Sequence, residues 1–178
     1  MSAQGLTRAE ALPNHSRRRE VVAKSPGDSS PSDHDVAEPR ESVRARESRA
    51  RARLAGLKVL VVDDDEGNLD YFAMALRAYG AWVATASTAV DALRLVQELK
   101  PHVVLSDIAM VGHDGYWLVR EIRGLADESM RGVPVVATTA YGREHSRART
   151  LAAGFTEHLS KPVEPDVLCQ TIAAVAGR

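Results

Sequence analysis

The sequence predicts a doubly wound α/β protein, built on one five-stranded parallel sheet with helices on both faces. From residue 58 onward, short apolar runs alternate with amphipathic stretches. The first run, KVLVV (58–62), is continuously apolar after its lysine, which is typical of a strand buried on both faces. Parallel strands need right-handed crossovers, and these place helices on both sides of the sheet.

The predicted strands are brief apolar runs that end at charged, hydroxyl or turn residues. Each is followed by a stretch whose apolar residues recur every three or four positions, the spacing of one helix face. The strands are predicted at residues 58–62, 81–86, 102–106, 133–139 and 157–160.

Helix boundaries follow from capping and breaking residues. Asn68 is a suitable N-cap for the first helix, which ends at Gly80. Thr88 opens the second helix, and Pro101 stops it. The other helices are predicted at residues 115–125, 146–154 and 165–176.

A change of composition divides the chain near residue 57. Residues 1–56 contain no Phe, Trp or Tyr, and they carry 11 basic and 8 acidic residues. A segment this poor in large apolar groups cannot offset the entropy lost on ordering. We therefore predict a disordered Arg/Ser/Pro-rich tail and linker at 1–56 and one domain at 57–178. The arginines between residues 40 and 53 fit either a basic arm that touches an acidic partner or a solvated linker.

Composition also excludes several functional classes. The formal net charge of −1 argues against a general nucleic-acid or membrane-surface binder. The single cysteine, Cys169, cannot form an internal disulfide or a cysteine-ligated metal site. No apolar run approaches the ~18 residues that span a bilayer, and the N-terminus lacks a secretory signal. We expect a protein of the cytoplasm.

Acidic residues follow two of the predicted strands. Asp63, Asp64 and Asp65 come after the first strand, and Asp107 comes after the third. In sheets of this class the site lies beyond the carboxyl ends of the strands, so these carboxylates crowd one rim. Such a cluster is costly without a cation. Carboxylate and carbonyl oxygens suit Mg²⁺ or Mn²⁺.

Groups that suit an anion follow the other strands. Thr139 ends the fourth strand and Lys161 follows the fifth. A hydroxyl and an ammonium are complementary to phosphate. Together with a metal and a carboxylate nucleophile, they indicate phosphoryl transfer onto an aspartate, Asp107.

Four segments in order resemble the signatures of the response regulator receiver domain of two-component signalling. These segments are VLVVDDDEGN, VVLSDIAMVGHDG, VVATTA and HLSKP. The resemblance covers residues 57–178. It implies a flavodoxin-like sheet with strand order 2-1-3-4-5.

The resemblance also implies a role for each residue of the acidic rim. Asp63 and Asp64 resemble the pair that holds Mg²⁺, and Asp107 resembles the phosphoacceptor, which also binds the metal. The backbone carbonyl of Ala109 would complete the metal shell.

Thr139 and Lys161 resemble the groups that bind phosphoryl oxygens, and the Lys161–Pro162 bond would be cis. The sequence departs from the family at two positions. Val111 stands where the family usually has proline. His158 stands at the switch position, usually Tyr or Phe, where it would act together with Thr139.

The implied function is a phosphorylation-dependent switch in a phosphorelay. A histidine kinase or a histidine phosphotransfer protein would donate the phosphoryl group to Asp107. The domain would catalyse only its own phosphorylation and slow dephosphorylation, so it is not expected to be an enzyme in the usual sense. We expect no DNA-binding domain, and output would pass through protein contacts to a target that the sequence does not identify.

Two alternatives stay open. One is a receiver-like interaction module that is not phosphorylated. Val111 and His158 leave this alternative open, because they depart from the family pattern. The other is a haloacid-dehalogenase-like phosphatase, because Asp63 and Asp65 fit its DxD pattern. That reading leaves Asp107 without a role.

Overall fold

The computed structural model describes residues 52–140 and 146–178. Most of the predicted tail, residues 1–51, lies outside the described residues, and so do Tyr141 and His145. The boundary between tail and domain at residue 57 stays a prediction. Leu54, on the tail side of it, is fully buried, and its N–H donates to the carbonyl of Tyr79 at 2.9 Å.

Five parallel strands form one sheet in the order β2-β1-β3-β4-β5, which confirms the predicted fold. The central strands β1 and β3 are mostly apolar and, apart from Lys58, buried, because helices cover both of their faces. The strands are β1 (Lys58–Val62), β2 (Trp82–Ala86), β3 (Val103–Asp107), β4 (Val135–Ala140) and β5 (Glu157–Lys161).

Six helices are described. The short helix α4 was not predicted, although Asp127 caps it with a hydrogen bond from the N–H of Ser129. The helices are α1 (Glu66–Ala78), α2 (Ala89–Leu99), α3 (Gly115–Arg123), α4 (Glu128–Arg131), α5 (Arg147–Ala152) and α6 (Pro165–Val175). None of those in the described ranges is long and apolar enough to cross a membrane.

The side chains of each strand alternate between two apolar cores, one on each face of the sheet. Val59 and Val61 of β1 pack with α1 and α6 on one face. Leu60 and Val62 pack with α2 and α3 on the other. The alternation fixes the register, because a slip of one residue would exchange the two faces of a strand.

The predicted cap of α1 was wrong by three residues. Asp65, not Asn68, is the N-cap, and its Oδ1 accepts the N–H of Asn68 at 2.8 Å. An aspartate at the N-cap also places negative charge at the positive end of the helix. Because Asn68 does not cap the helix, its side chain can make a different contact.

Candidate functional site

Three charged side chains meet where the strands end at the carboxyl edge of the sheet. Asp63 directly follows β1, Asp107 is the last residue of β3, and Lys161 is the last residue of β5. Both carboxylates are buried. The strand order places β1 and β3 side by side at the centre, so residues far apart in sequence converge there.

The ammonium of Lys161 bridges the two carboxylates. Its Nζ lies 2.7 Å from Oδ2 of Asp63 and 2.6 Å from Oδ1 of Asp107. Burial by itself lowers the pKa of Lys161, but the hydrogen bonds to Asp107 and Asp63 outweigh it, so that the pKa is raised overall. The lysine is therefore held charged between two acids.

Asp63 is held on its other oxygen by the start of α1. Its Oδ1 accepts the N–H of Asp65 at 3.0 Å and the side-chain amide of Asn68 at 3.2 Å. Sequence reasoning did not assign this role to Asn68. The spacing of five residues between Asn68 and Asp63 carries no such signal until the turn before the helix is known.

Asp107 is fixed by the loop that follows it. Its Oδ2 accepts the N–H of Ala109 at 2.7 Å, while Oδ1 faces Lys161. Gly115, at the start of α3, donates its N–H to the carbonyl of Ile108 at 2.9 Å. A Cβ at Gly115 would lie 2.4 Å from the backbone oxygen of Asp107, so only glycine fits this approach.

Asp64 connects the end of β1 to the same loop. The side chain is exposed, and its Oδ2 accepts the N–H of Val111 at 2.8 Å. Val111 itself is 86% exposed. The position where the family usually has proline therefore contributes a backbone donor, which proline lacks.

The predicted switch residues are on neighbouring strands. Thr139 is buried near the end of β4, and its hydroxyl donates to the carbonyl of Ala140 at 3.1 Å. His158 lies on β5, with Nδ1 3.3 Å from Oγ1 of Thr150 on α5 and Nε2 3.5 Å from Oγ of Ser160. The imidazole thus links β5 to α5, and the switch role of both residues stays a prediction.

A groove of about 520 Å³ opens beside Lys161. It lies between α1 and the segment that joins β5 to α6, where the Lys161–Pro162 bond is cis. Tyr71 crosses this groove and donates its hydroxyl to the carbonyl of Val163 at 2.6 Å. The lining residues are Asn68, Tyr71, Phe72, Lys161, Pro162, Val163 and Glu164.

Two neighbouring aromatic residues at the start of α3 make separate contacts. Trp117 stacks on His113 with ring centroids 4.1 Å apart. Tyr116 packs edge-on against Phe155 at 5.9 Å, and the guanidinium of Arg149 lies over the Tyr116 ring. Tyr116 therefore joins the apolar core, while the Trp117 stack lies beside the loop after β3.

The donor set at the carboxyl edge fits a hard divalent cation. Asp63 and Asp107 each direct one oxygen to the same cationic nitrogen, and Asp64 lies next to Asp63 in sequence. Oxygen ligands without sulfur or imidazole suit Mg²⁺ or Mn²⁺. Among residues 52–140 and 146–178, no three His, Cys, Asp or Glu side chains are already gathered as a metal site. The ammonium of Lys161 lies between Asp63 and Asp107.

Comparisons with known proteins agree with this architecture. The family model of the response regulator receiver domain matches residues 59–173. The sensor histidine kinase RcsC of Salmonella typhimurium is 39% identical over 122 residues, which are 68% of this chain and 12% of the kinase. The chain thus corresponds to a small part of that relative.

Two solved receiver structures show the same fold. The receiver domain of the sensor histidine kinase PA1611 from Pseudomonas aeruginosa PAO1, with magnesium coordinated in its active site cleft, is 30% identical. The match covers 70% of this chain and all of that one, with a TM-score of 0.63. The chemotaxis protein CheY4 of Vibrio cholerae is 28% identical over 68% of this chain and 99% of that one, also with a TM-score of 0.63.

The chain belongs to the response regulator receiver domain family of two-component signalling. This is a family of signalling domains, and the relatives include sensor histidine kinases and response regulators.

Proposed function

We propose that the protein is a phosphoacceptor that takes a phosphoryl group on Asp107 from a phosphohistidine donor. The observation that carries this proposal is the position of Lys161, whose half-buried ammonium lies 2.6 Å from the buried carboxylate of Asp107 at the carboxyl edge of the sheet. A fixed positive charge beside a carboxylate nucleophile is suited to the charge that develops on a transferring phosphoryl group. The donor is a histidine kinase or a histidine phosphotransfer protein.

The transfer exchanges one bond to phosphorus for another. A carboxylate oxygen of Asp107 bonds to phosphorus as the bond to the donor's imidazole nitrogen breaks, and the nitrogen keeps the electron pair. The product is an acyl phosphate. Lys161 then binds phosphoryl oxygens, while the N–H of Ala109, now 2.7 Å from Oδ2 of Asp107, orients the acceptor.

Magnesium would be held by three carboxylates and one carbonyl. Asp63, Asp64 and Asp107 supply the carboxylate oxygens, and Ala109 supplies the carbonyl. When bound, the metal neutralises charge on the phosphoryl oxygens. The donor chemistry of these residues and the magnesium in the related PA1611 receiver support this assignment.

Phosphorylation would change the conformation through the ends of β4 and β5. An acyl phosphate adds negative charge close to Thr139 and Lys161. The Thr139 hydroxyl, now bonded to the carbonyl of Ala140, is then drawn toward the phosphoryl oxygens. The contact of His158 with Thr150 couples β5 to α5, so α5 is the element that responds. Output passes through protein contacts, and we place the whole cycle in the cytoplasm.

The phosphatase alternative is less well supported. Its DxD pattern needs Asp65 as a second catalytic aspartate, yet Asp65 caps α1 and its Oδ1 accepts the N–H of Asn68. The domain is then a signalling protein whose only chemistry is its own phosphorylation and dephosphorylation. The remaining alternative is an interaction module that is not phosphorylated, and the experiment below distinguishes it from a phosphoacceptor.

The test is the intact mass of the full chain after incubation with acetyl phosphate, with and without Mg²⁺. One phosphoryl adduct should form only with Mg²⁺, and it should be absent from Asp107→Asn. Asp70→Asn is the matched control, because Asp70 is an exposed aspartate on α1 and has no place in the proposed chemistry.

Two outcomes would contradict the proposal. An adduct that persists in Asp107→Asn would place the phosphoryl group elsewhere. A folded wild-type protein that gains no mass with acetyl phosphate, or with a phosphorylated histidine phosphotransfer domain, would favour the interaction module.

A further inference from the structure

The carboxylate of Asp63 has its two oxygens divided between two tasks. Oδ2 faces the site, 2.7 Å from the ammonium of Lys161. Oδ1 faces the start of α1, where it accepts the N–H of Asp65 and the amide of Asn68. The orientation of Oδ2 therefore depends on what holds Oδ1.

The side-chain amide of Asn68 is the hydrogen-bond donor to Asp63. A carboxylate only accepts hydrogen bonds, so the side chain must present its NH₂ group to Asp63. The backbone of Asn68 is itself fixed, because its N–H is bonded to the capping carboxylate of Asp65 at 2.8 Å. Asn68 is half-buried at the wall of the groove beside Lys161.

We propose that Asn68 is a positioning residue that sets the affinity of the site for Mg²⁺. The inference rests on the proposed function, in which Asp63 is a metal ligand. Two donors on Oδ1 prevent the carboxylate from rotating, so Oδ2 stays directed into the site when Lys161 turns to a phosphoryl group. Without the amide, Asp65 alone holds Oδ1. Hydrogen bonds to metal-ligating groups commonly change metal affinity about 10- to 100-fold.

The first test measures Mn²⁺ binding to the full chain by electron paramagnetic resonance, without a phosphoryl donor, and Mg²⁺ by competition. Asn68→Ala should weaken the binding of both ions by about tenfold or more. Asn68→Gln keeps the amide and should recover part of the affinity. Gln97→Ala is the matched control, since Gln97 is an amide on α2 that donates to the carbonyl of Leu93. Its affinity should equal that of wild type.

The second readout separates positioning from a general loss of structure. The rate of adduct formation from acetyl phosphate is followed against Mg²⁺ concentration. Asn68→Ala should need more Mg²⁺ for half the maximal rate, while the rate at saturating Mg²⁺ and the unfolding midpoint in EDTA stay close to wild type. A lower saturated rate with unchanged Mg²⁺ dependence, or wild-type Mn²⁺ affinity, would overturn the proposal.

The failure of the proposed function would look different. If wild type binds no Mn²⁺, or if Asp63→Asn binds it as tightly as wild type, then the metal site itself is wrongly placed. If Asp63→Asn loses binding and Asn68→Ala does not, only the role of Asn68 is wrong.

Discussion

The two edges of the sheet carry the same chemical pair in opposite surroundings. At the carboxyl edge, Lys161 pairs with Asp63 and Asp107, whose side chains are 2% and 7% exposed. At the amino edge, Lys100 lies 2.9 Å from Asp127, with side chains 60% and 40% exposed. The distances are similar, so burial makes the difference.

Burial changes what each pair can do. An exposed pair is screened by water and salt and contributes little to stability. A buried pair is held by its surroundings, and the loss of one partner leaves an unpaired charge away from water. The carboxyl edge also has two carboxylates for one ammonium, so it keeps a negative excess that suits a further cation. At the amino edge, Lys100 and Asp127 carry one charge each, so this pair has no excess of negative charge.

The largest expected effect is the loss of the cation that pairs with the two buried carboxylates. Lys161→Met should lower the free energy of unfolding at pH 7 by about 3–5 kcal/mol, because two buried carboxylates then face each other without it. Urea denaturation in EDTA measures this. Asp107→Asn should cost clearly less, since the pair of Lys161 and Asp63 remains balanced. Equal losses in the two variants would show that charge balance is not what stabilises this edge.

The next effect contrasts the packing of the two edges. Gly115→Ala forces a Cβ against the backbone of Asp107, and overpacking of this kind costs about 1–3 kcal/mol. Gly132→Ala, just before β4 at the amino edge, meets its nearest neighbour at 3.4 Å and should be tolerated. Thermal unfolding of both variants measures this difference. Similar shifts in their unfolding midpoints would show that the two edges do not differ in packing.

A third effect depends on pH. The pKa of Lys161 is raised in the folded protein, so its stabilising contribution is fully present below the ordinary value of 10.5 and is lost as the pH rises through the raised pKa. The stability difference between wild type and Lys161→Met should therefore be constant at neutral pH and shrink in strong alkali. Denaturation at a series of pH values measures it, and a difference that shrinks below pH 9 instead would contradict the assignment.

The smallest effect is expected at the amino edge. Lys100→Met should leave the unfolding midpoint nearly unchanged, and high salt should remove what difference there is. Hydrogen bonds from Ser129 and then Lys100 hold the pKa of Asp127 below its ordinary value of 3.8. Any contribution of Asp127 is thus present above that pH and disappears as the pH falls. A large loss in Lys100→Met would break the comparison between the edges.

Much of the fold follows from local patterns. The continuous apolar run of β1 and the cap at Thr88 are visible in the sequence, because each depends on neighbours within a few residues. The sequence alone predicts the cap of α1 at Asn68, but the cap is Asp65, and both residue types suit an N-cap. The geometry of the turn before the helix decides which residue is the cap, and this geometry cannot be inferred from the residue types alone.

The sequence predicts that Asp63, Asp107 and Lys161 lie at one edge of the sheet, but it does not predict the contacts among them. Asp63, Asp107 and Lys161 were identified because each ends or follows a strand. The bridge that Lys161 makes joins residues 98 and 54 positions apart, and it depends on how three strands are placed in space. The same holds for Asn68, whose amide reaches Asp63 only after the turn before α1 has formed.

The bond between Val111 and Asp64 gives this receiver a tether that the usual family residue cannot form. A proline at position 111 has no N–H to give, so the bond requires that this residue is not proline. The loop after β3, with the stack of His113 on Trp117, is thereby joined to a proposed metal ligand. Any event that draws the carboxylate of Asp64 toward a cation must stretch or break this tether, so the loop can report directly on whether the site is filled.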